Sequence, residues 1–210
     1  MQSSLLVRDL GLVEYVPIWE KMRNFTEQRK PDSQDELWLL QHKPVFTQGR
    51  RGNLKDIIRK TAIPVVQSDR GGQITYHGPG QLIVYLLLDL KHFRLGVKSL
   101  VSLLENSIVE LLTTFEITAE LRAGAPGVYV NARKIAALGL RIRKNCTLHG
   151  LSLNIDMDLT PFAHIDPCGY ENLEVCQIKD YVMNVDLATT GSSLVAIIQK
   201  KLREHVSKAK

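Results

Sequence analysis

Residues 63–90, IPVVQSDRGGQITYHGPGQLIVYLLLDL, hold two apolar segments, 63–67 and 81–90, parted by a glycine-dense stretch that ends on a Pro79-Gly80 turn. The second segment is almost unbroken, which predicts a strand buried on both faces. Between them, Gly71, Gly72, Gly78 and Gly80 are interleaved with Arg70, Thr75, Tyr76 and His77. Such spacing lets backbone wrap closely around a ligand. Taken as composition alone, it suits an elaborate hairpin turn equally well. It matches neither G-x-x-x-x-G-K-[ST] nor G-x-G-x-x-G, so a phosphate loop is not supported.

Upstream, Val13, Val16, Ile18/Trp19, Met22 and Phe25 recur at near-helical spacing, so an amphipathic helix is predicted within 11–29 despite Pro17 near its start. DELWLLQH (35–42) reads as a strand leading to a turn. Downstream, Leu100, Val101, Leu104, Ile108, Leu111, Leu112 and Phe115 repeat at three and four residues, the pattern of a core-packed helix over 98–115. GVYVN, KIAALGLRIR and TLHGLSLNID follow as strands, the last alternating Leu148, Leu151/Leu153 and Ile155 with polar or small neighbours, then an irregular stretch over 156–176. A final helix is expected from Ser192 or Ser193 as N-cap, with Leu194, Ile197, Ile198 and Leu202 on one face. Helices and strands mix without regular β-α-β alternation. The expected class is therefore α+β: a single domain over 1–210 with a mixed, largely antiparallel sheet flanked by helices.

At 210 residues, 44% hydrophobic and 23% charged, the chain is long enough to bury one sizeable core. It has no run of about 18 apolar residues. The opening MQSSLLVRDLGL has too short an apolar stretch and reaches Asp9 too early for a secretory signal, so a cytoplasmic protein is expected. The net charge of +5 and pI near 9.1 favour anionic partners without choosing among nucleic acid, membrane and acidic protein. The modest basic groups, such as Arg141/Arg143/Lys144, read equally as solvated surface. Cys146, Cys168 and Cys176 are odd in number and lack C-x2-C spacing, so free thiols and no metal site are expected.

Two residues stand out chemically. Lys134 shares parity with Ala136, Leu138, Leu140 and Ile142, so in a regular strand it points inward. An ammonium so placed loses hydration, and such lysines are often catalytic or paired; the alternative is a strand-end lysine that snorkels to water. Cys168 lies in Asp166-Pro167-Cys168-Gly169-Tyr170, where Pro fixes the approach and Gly removes bulk beside the sulfur. A nucleophilic role needs a nearby cation to favour the thiolate, for which Lys134 is the candidate. The other reading of an isolated cysteine is a small buried hydrophobe, and Cys146 and Cys176 are assigned to it. His42, His77 and His149 read first as hydrogen-bonded structural histidines.

Taken in order, RGGQITYHGPGQ, GVYV-N-ARKIAALGLRI, LHGLSLNI and IDPCGY resemble the lipoyl-pathway octanoyltransferases, with a match running from about residue 42 to residue 170. The resemblance implies the fold of lipoate and biotin protein ligases, with a channel for a medium-length acyl chain. It implies that Cys168 carries an acyl thioester and that Lys134 favours its thiolate and handles protons. Acyl binding would fall to Arg70, Gly71, Gly72, Gln73, Ile74, Thr75, Tyr76 and His77, to Ala137, Leu138 and Gly139, and to Gly150, Leu151 and Ser152, with His149 in possible support. Backbone N–H groups near Gly139 are a candidate oxyanion hole. His42-Lys43-Pro44 and Thr47-Gln48-Gly49 depart from the usual pattern but touch neither proposed catalytic residue.

The implied donor is octanoyl-acyl carrier protein. The implied acceptors are lipoyl domains of 2-oxoacid dehydrogenase complexes and the glycine cleavage H protein. No cofactor, nucleic acid or membrane is expected, and a monomer is. An ATP-dependent lipoate-protein ligase on the same fold is the rival enzyme, against which Cys168 in its P-C-G setting argues. A nucleic-acid-binding module, suggested only by pI, lacks any recognised motif.

Overall fold

A computed structural model describes residues 5–59, 61–166 and 174–208. The chain opens with β1 (Leu6–Val13), α1 (Tyr15–Glu27), β2 (Glu36–His42) and β3 (Val45–Gln48). It continues through β4 (Val65–Gln67), β5 (Ile74–His77), β6 (Gln81–Leu87) and α2 (Val97–Thr113). It closes with β7 (Glu120–Leu121), β8 (Val128–Val130), β9 (Arg133–Arg143), β10 (Cys146–Asn154) and α3 (Leu187–Lys208). Seven strands form one sheet in the order β1-β2-β6-β10-β9-β8-β7, antiparallel except for the β1–β2 pair. A second sheet, β4-β3-β5, stands against it. The α+β expectation of a mixed, largely antiparallel sheet with flanking helices holds.

β6 is buried along its whole length, as its unbroken apolar sequence predicts. Leu82, Val84 and Leu86 join α2 and α3 in the main core, whereas Ile83, Tyr85 and Leu87 pack beneath α1 with Trp38, Leu40 and Met22. The chain therefore has a two-helix layer on one sheet face. On the other, α1 and the small sheet share the surface and leave a cleft between them. No helix among the described residues is long and apolar enough to cross a membrane.

Three expectations are corrected. The first helix begins only at Tyr15, because residues 6–13 form an edge strand whose bulge at Gly11 (φ +62°) hides any apolar alternation. The inward stripe is accordingly Tyr15, Ile18 and Met22; Val16 is exposed and Val13 belongs to β1. Pro17 sits in the first turn, where a missing N–H costs little. The last helix begins at Leu187 rather than after Ser192 or Ser193. Asp186 caps it, its Oδ1 accepting from Thr189 N at 2.7 Å, and Ser192 is interior, its hydroxyl donating to Ala188 O at 2.9 Å. Leu148 packs under α1 while Leu151, Leu153 and Ile155 join the helix-side core, so β10 does not keep one apolar face.

Candidate active site

The cleft lies between the 70–77 segment and the faces of β6, β10 and β9. Its wall is mostly apolar. Arg70, Gly72, Gln73, Ile74, Thr75 and His77 line one side, and Lys134, Ala137, Leu138, Gly139, Gly150, Leu151 and Ser152 line the other. Of the acyl-binding residues expected from sequence, Gly71 and Tyr76 are not on this wall. Gly71 N donates to Leu140 O at 3.1 Å, tying the loop to β9, and Tyr76 packs with Phe46 and Phe162 in a small separate core.

The loop is held by a buried guanidinium. Arg70 donates through Nε to Thr47 Oγ1 at 2.9 Å, through NH1 to Gly71 O at 2.8 Å, and through NH2 to Gln73 O at 2.7 Å and to Thr47 O. These bonds fold 70–73 over β3, where a Cβ on Gly49 would stand 2.4 Å from Gly72 O. The glycine-dense segment is thus a ligand-side loop rather than a hairpin, since β5 and β6 on either side of its Pro79-Gly80 turn belong to different sheets.

Lys134 faces the cleft, but parity with Ala136 is not the reason. The β8–β9 register slips at Ile135, pairing Tyr129 with Lys134 but Val128 with Ala136. Ala136, Leu138, Leu140 and Ile142 consequently pack against the helix-side core, Ala136 and Leu138 bordering the cleft as well, while Lys134 turns to the cleft. Its side chain is buried at 7% exposure, with Nζ 3.5 Å from Pro126 O and 5.3 Å from the centroid of the Tyr129 ring. Its backbone is pinned as well: Lys134 N donates to Glu174 O at 2.9 Å, and Cys176 N donates to Lys134 O at 3.0 Å. Asn154 Nδ2 then donates to Cys176 O at 2.9 Å, Gln81 Nε2 to Asn154 Oδ1 at 2.9 Å, and His77 Nδ1 to Gln81 Oε1 at 2.7 Å.

Cys168, the proposed nucleophile, lies outside the described residues. Both described flanks of 167–173 are anchored: Asp166 N donates to Asp56 O at 2.8 Å, and Val175 bridges Lys134. Phe162 and Val175 line the cleft. Cys146 and Cys176 are buried free thiols, as assigned from sequence, and burial raises the pKa of both.

The other end of the cleft is polar and buried. His42 Nδ1 faces Val13 O at 3.2 Å, so it carries the proton, and Tyr85 OH donates to Nε2 at 2.7 Å. Burial pushes His42 down to about 4 and, with His42 nearby, His77 to about 3, so both rings are neutral at neutral pH. Burial raises Tyr15 to about 12 against its 2.6 Å bond to Ser68 Oγ. His149 Nε2 donates to Asp69 Oδ1 at 2.8 Å; burial lowers His149, with Asp69 opposing. Burial pushes Asp69 upward, yet the His149 and Trp19 hydrogen bonds hold it at about 2.

Sequence reading missed Tyr15, Gln81 and Tyr85 as cleft residues. A polar Gln81 opening an otherwise apolar strand was the available signal. Gly139, near which an oxyanion hole is expected, lines the cleft and pairs with Gly150 of β10.

The chain matches the lipoyl protein ligase A/B catalytic domain over residues 15–199. It is 53% identical to an octanoyltransferase of Hahella chejuensis over 91% of this chain and 85% of that one. It is 54% identical to an octanoyltransferase of Haemophilus influenzae over 87% and 86%. In fold it resembles a bi-partite lipoate protein ligase from Thermoplasma acidophilum, with TM-score 0.74 and 15% identity over 95% and 85% of the two chains. It also resembles the biotin protein ligase of Aquifex aeolicus, with TM-score 0.60 and 15% identity over 98% and 72%.

Proposed function

The chain belongs to the lipoyl protein ligase A/B catalytic domain family, as an octanoyltransferase, and from that premise we propose that it transfers octanoyl through a thioester on Cys168, with Lys134 as its partner. The donor is octanoyl-acyl carrier protein. The acceptor is the target lysine of a lipoyl domain, whether in a 2-oxoacid dehydrogenase complex or a glycine cleavage H protein.

The observation that carries this reading is the placement of Lys134: buried, at one end of an apolar cleft, and strand-paired to the segment that follows 167–173. In the first displacement the Cys168 thiolate attacks the donor carbonyl, forming the acyl-Cys168 thioester and releasing the carrier thiolate, which takes the proton of the Lys134 ammonium and leaves that amine neutral. In the second, the neutral acceptor amine attacks that thioester. An amide forms, the C–S bond breaks, Lys134 takes the proton the amine loses, and Cys168 leaves as thiolate. Thioester is exchanged for thioester and then for amide, so the sequence runs downhill without nucleotide. The Ala137–Gly139 and Gly150–Ser152 stretches, small or apolar, leave room for the chain.

The net positive charge suits acidic carrier and lipoyl domains through long-range attraction, so KM for both should rise with ionic strength. We place the protein in the cytoplasm, working as a monomer.

Acyl exchange tests the reading. With labelled carrier protein and no acceptor, label should pass between octanoyl-loaded and free carrier in wild type. Absence of exchange, together with product formed only from free octanoate and ATP, would move the chain to the adenylating ligases.

A further inference from the structure

Lys134 and His149 occupy opposite ends of the cleft. β9 runs from Lys134 to Leu140, the residue paired with His149, over six residue steps, roughly 15–20 Å with its bulge. An extended eight-carbon chain attached near Lys134 is shorter than that. His149 reaches the cleft through an unusual backbone: φ is +61° in mid-strand, so Leu148 and His149 both face the α1 side. Its ring is fixed by Asp69 on Nε2 and by an edge-on contact with Tyr85 at 5.9 Å. Because Nε2–H is spent on Asp69, Nδ1 carries a lone pair. That atom is buried, on a residue 2% exposed that lines the cleft, and has no hydrogen-bond partner among the described residues.

We infer, resting on the acyl-channel reading above, that His149 is the specificity-determining residue that ends the channel, its Nδ1 lone pair setting the limit of acyl length. A buried acceptor needs a donor, and with an octanoyl chain in place the remaining space lets a water supply it. A chain long enough to expel that water sets a methyl group against the lone pair, leaves the acceptor unpaired, and is discriminated against by about tenfold or more. A hydroxyl at the end of the same chain restores the bond. Asp69 acts as a positioning residue, fixing which nitrogen carries the proton.

The test uses octanoyl, decanoyl and 9-hydroxynonanoyl groups loaded on acyl carrier protein, the last two equal in their number of non-hydrogen atoms. Wild type should transfer 9-hydroxynonanoyl about tenfold or more faster than decanoyl. His149→Gly, which suits a positive φ, should raise the decanoyl-to-octanoyl ratio and abolish the hydroxyl advantage; the ratios are read independently of absolute rate. Equal transfer of the two longer groups by wild type overturns the inference, even should the variant fail to fold. So does an unmoved ratio in the variant. If wild type transfers no octanoyl at all, the channel reading itself falls, an outcome distinct from either.

Discussion

Lys134 and His149 face one cleft from its two ends, and neither arrives there by regular strand geometry: a register slip at Ile135 turns the first, and a left-handed backbone at His149 turns the second. Both irregularities lie in the central part of the large sheet, where a bulge or a positive φ persists only because the surroundings over-determine it.

Lys134→Met should leave fold and cleft shape largely intact and lower the acyl transfer rate by about 10²- to 10⁴-fold. The same substitution should shift iodoacetamide alkylation of Cys168 to higher pH, since an ordinary thiol is mostly protonated at neutrality. An unchanged alkylation profile would separate Lys134 from the thiolate.

Stability should fall as pH drops below about 6.5. His42 and His77 are neutral in the fold, at about 4 and about 3, whereas the unfolded chain binds their protons near 6.5. Stability is therefore full above 6.5 and is lost progressively down to about 4 for His42 and about 3 for His77. At pH 5 each contributes a loss of roughly 2 kcal/mol. Urea unfolding at pH 7, 6 and 5 checks this, and His77→Gln should flatten the slope.

Gly150→Ala should destabilise the fold by about 3 kcal/mol or more, because the added Cβ would stand 2.0 Å from Val84 O in the adjoining strand. A thermal denaturation midpoint equal to wild type would contradict the pairing described for β10 and β6.

Asp35 is fully buried and accepts from Arg29, from His92 Nδ1 at 2.8 Å and from Asp89 N at 2.7 Å. Asp35→Ala leaves Arg29 buried without this anion and should cost about 3–5 kcal/mol. Adding Arg29→Met should recover part of that loss, and additive effects in the double variant would argue against the pair.

Much of this fold was legible because its patterns are local. The 3.6-residue repeat of Leu100, Leu104, Ile108 and Leu111 located α2, and the apolar run after Gly80 located β6. β1 was not legible, since an edge strand with exposed Val7 and Leu12 keeps no alternation. The start of α3 escaped because Ser192 and Ser193 look like caps, whereas Asp186 makes the bond. At the site, Lys134 was found through a parity that the bulge breaks, and its inward direction survived only because Ala136 reverses instead. The Asp69–His149 pair joins residues 80 positions apart, which no local pattern reveals.

Covalent transfer through Cys168 can be read from the intact mass of the protein. Wild type and Cys168→Ser are incubated with octanoyl-acyl carrier protein, without acceptor or ATP. The expected result is one octanoyl group on wild type alone, released by neutral hydroxylamine. No added mass on wild type, or equal mass on both proteins, would contradict it.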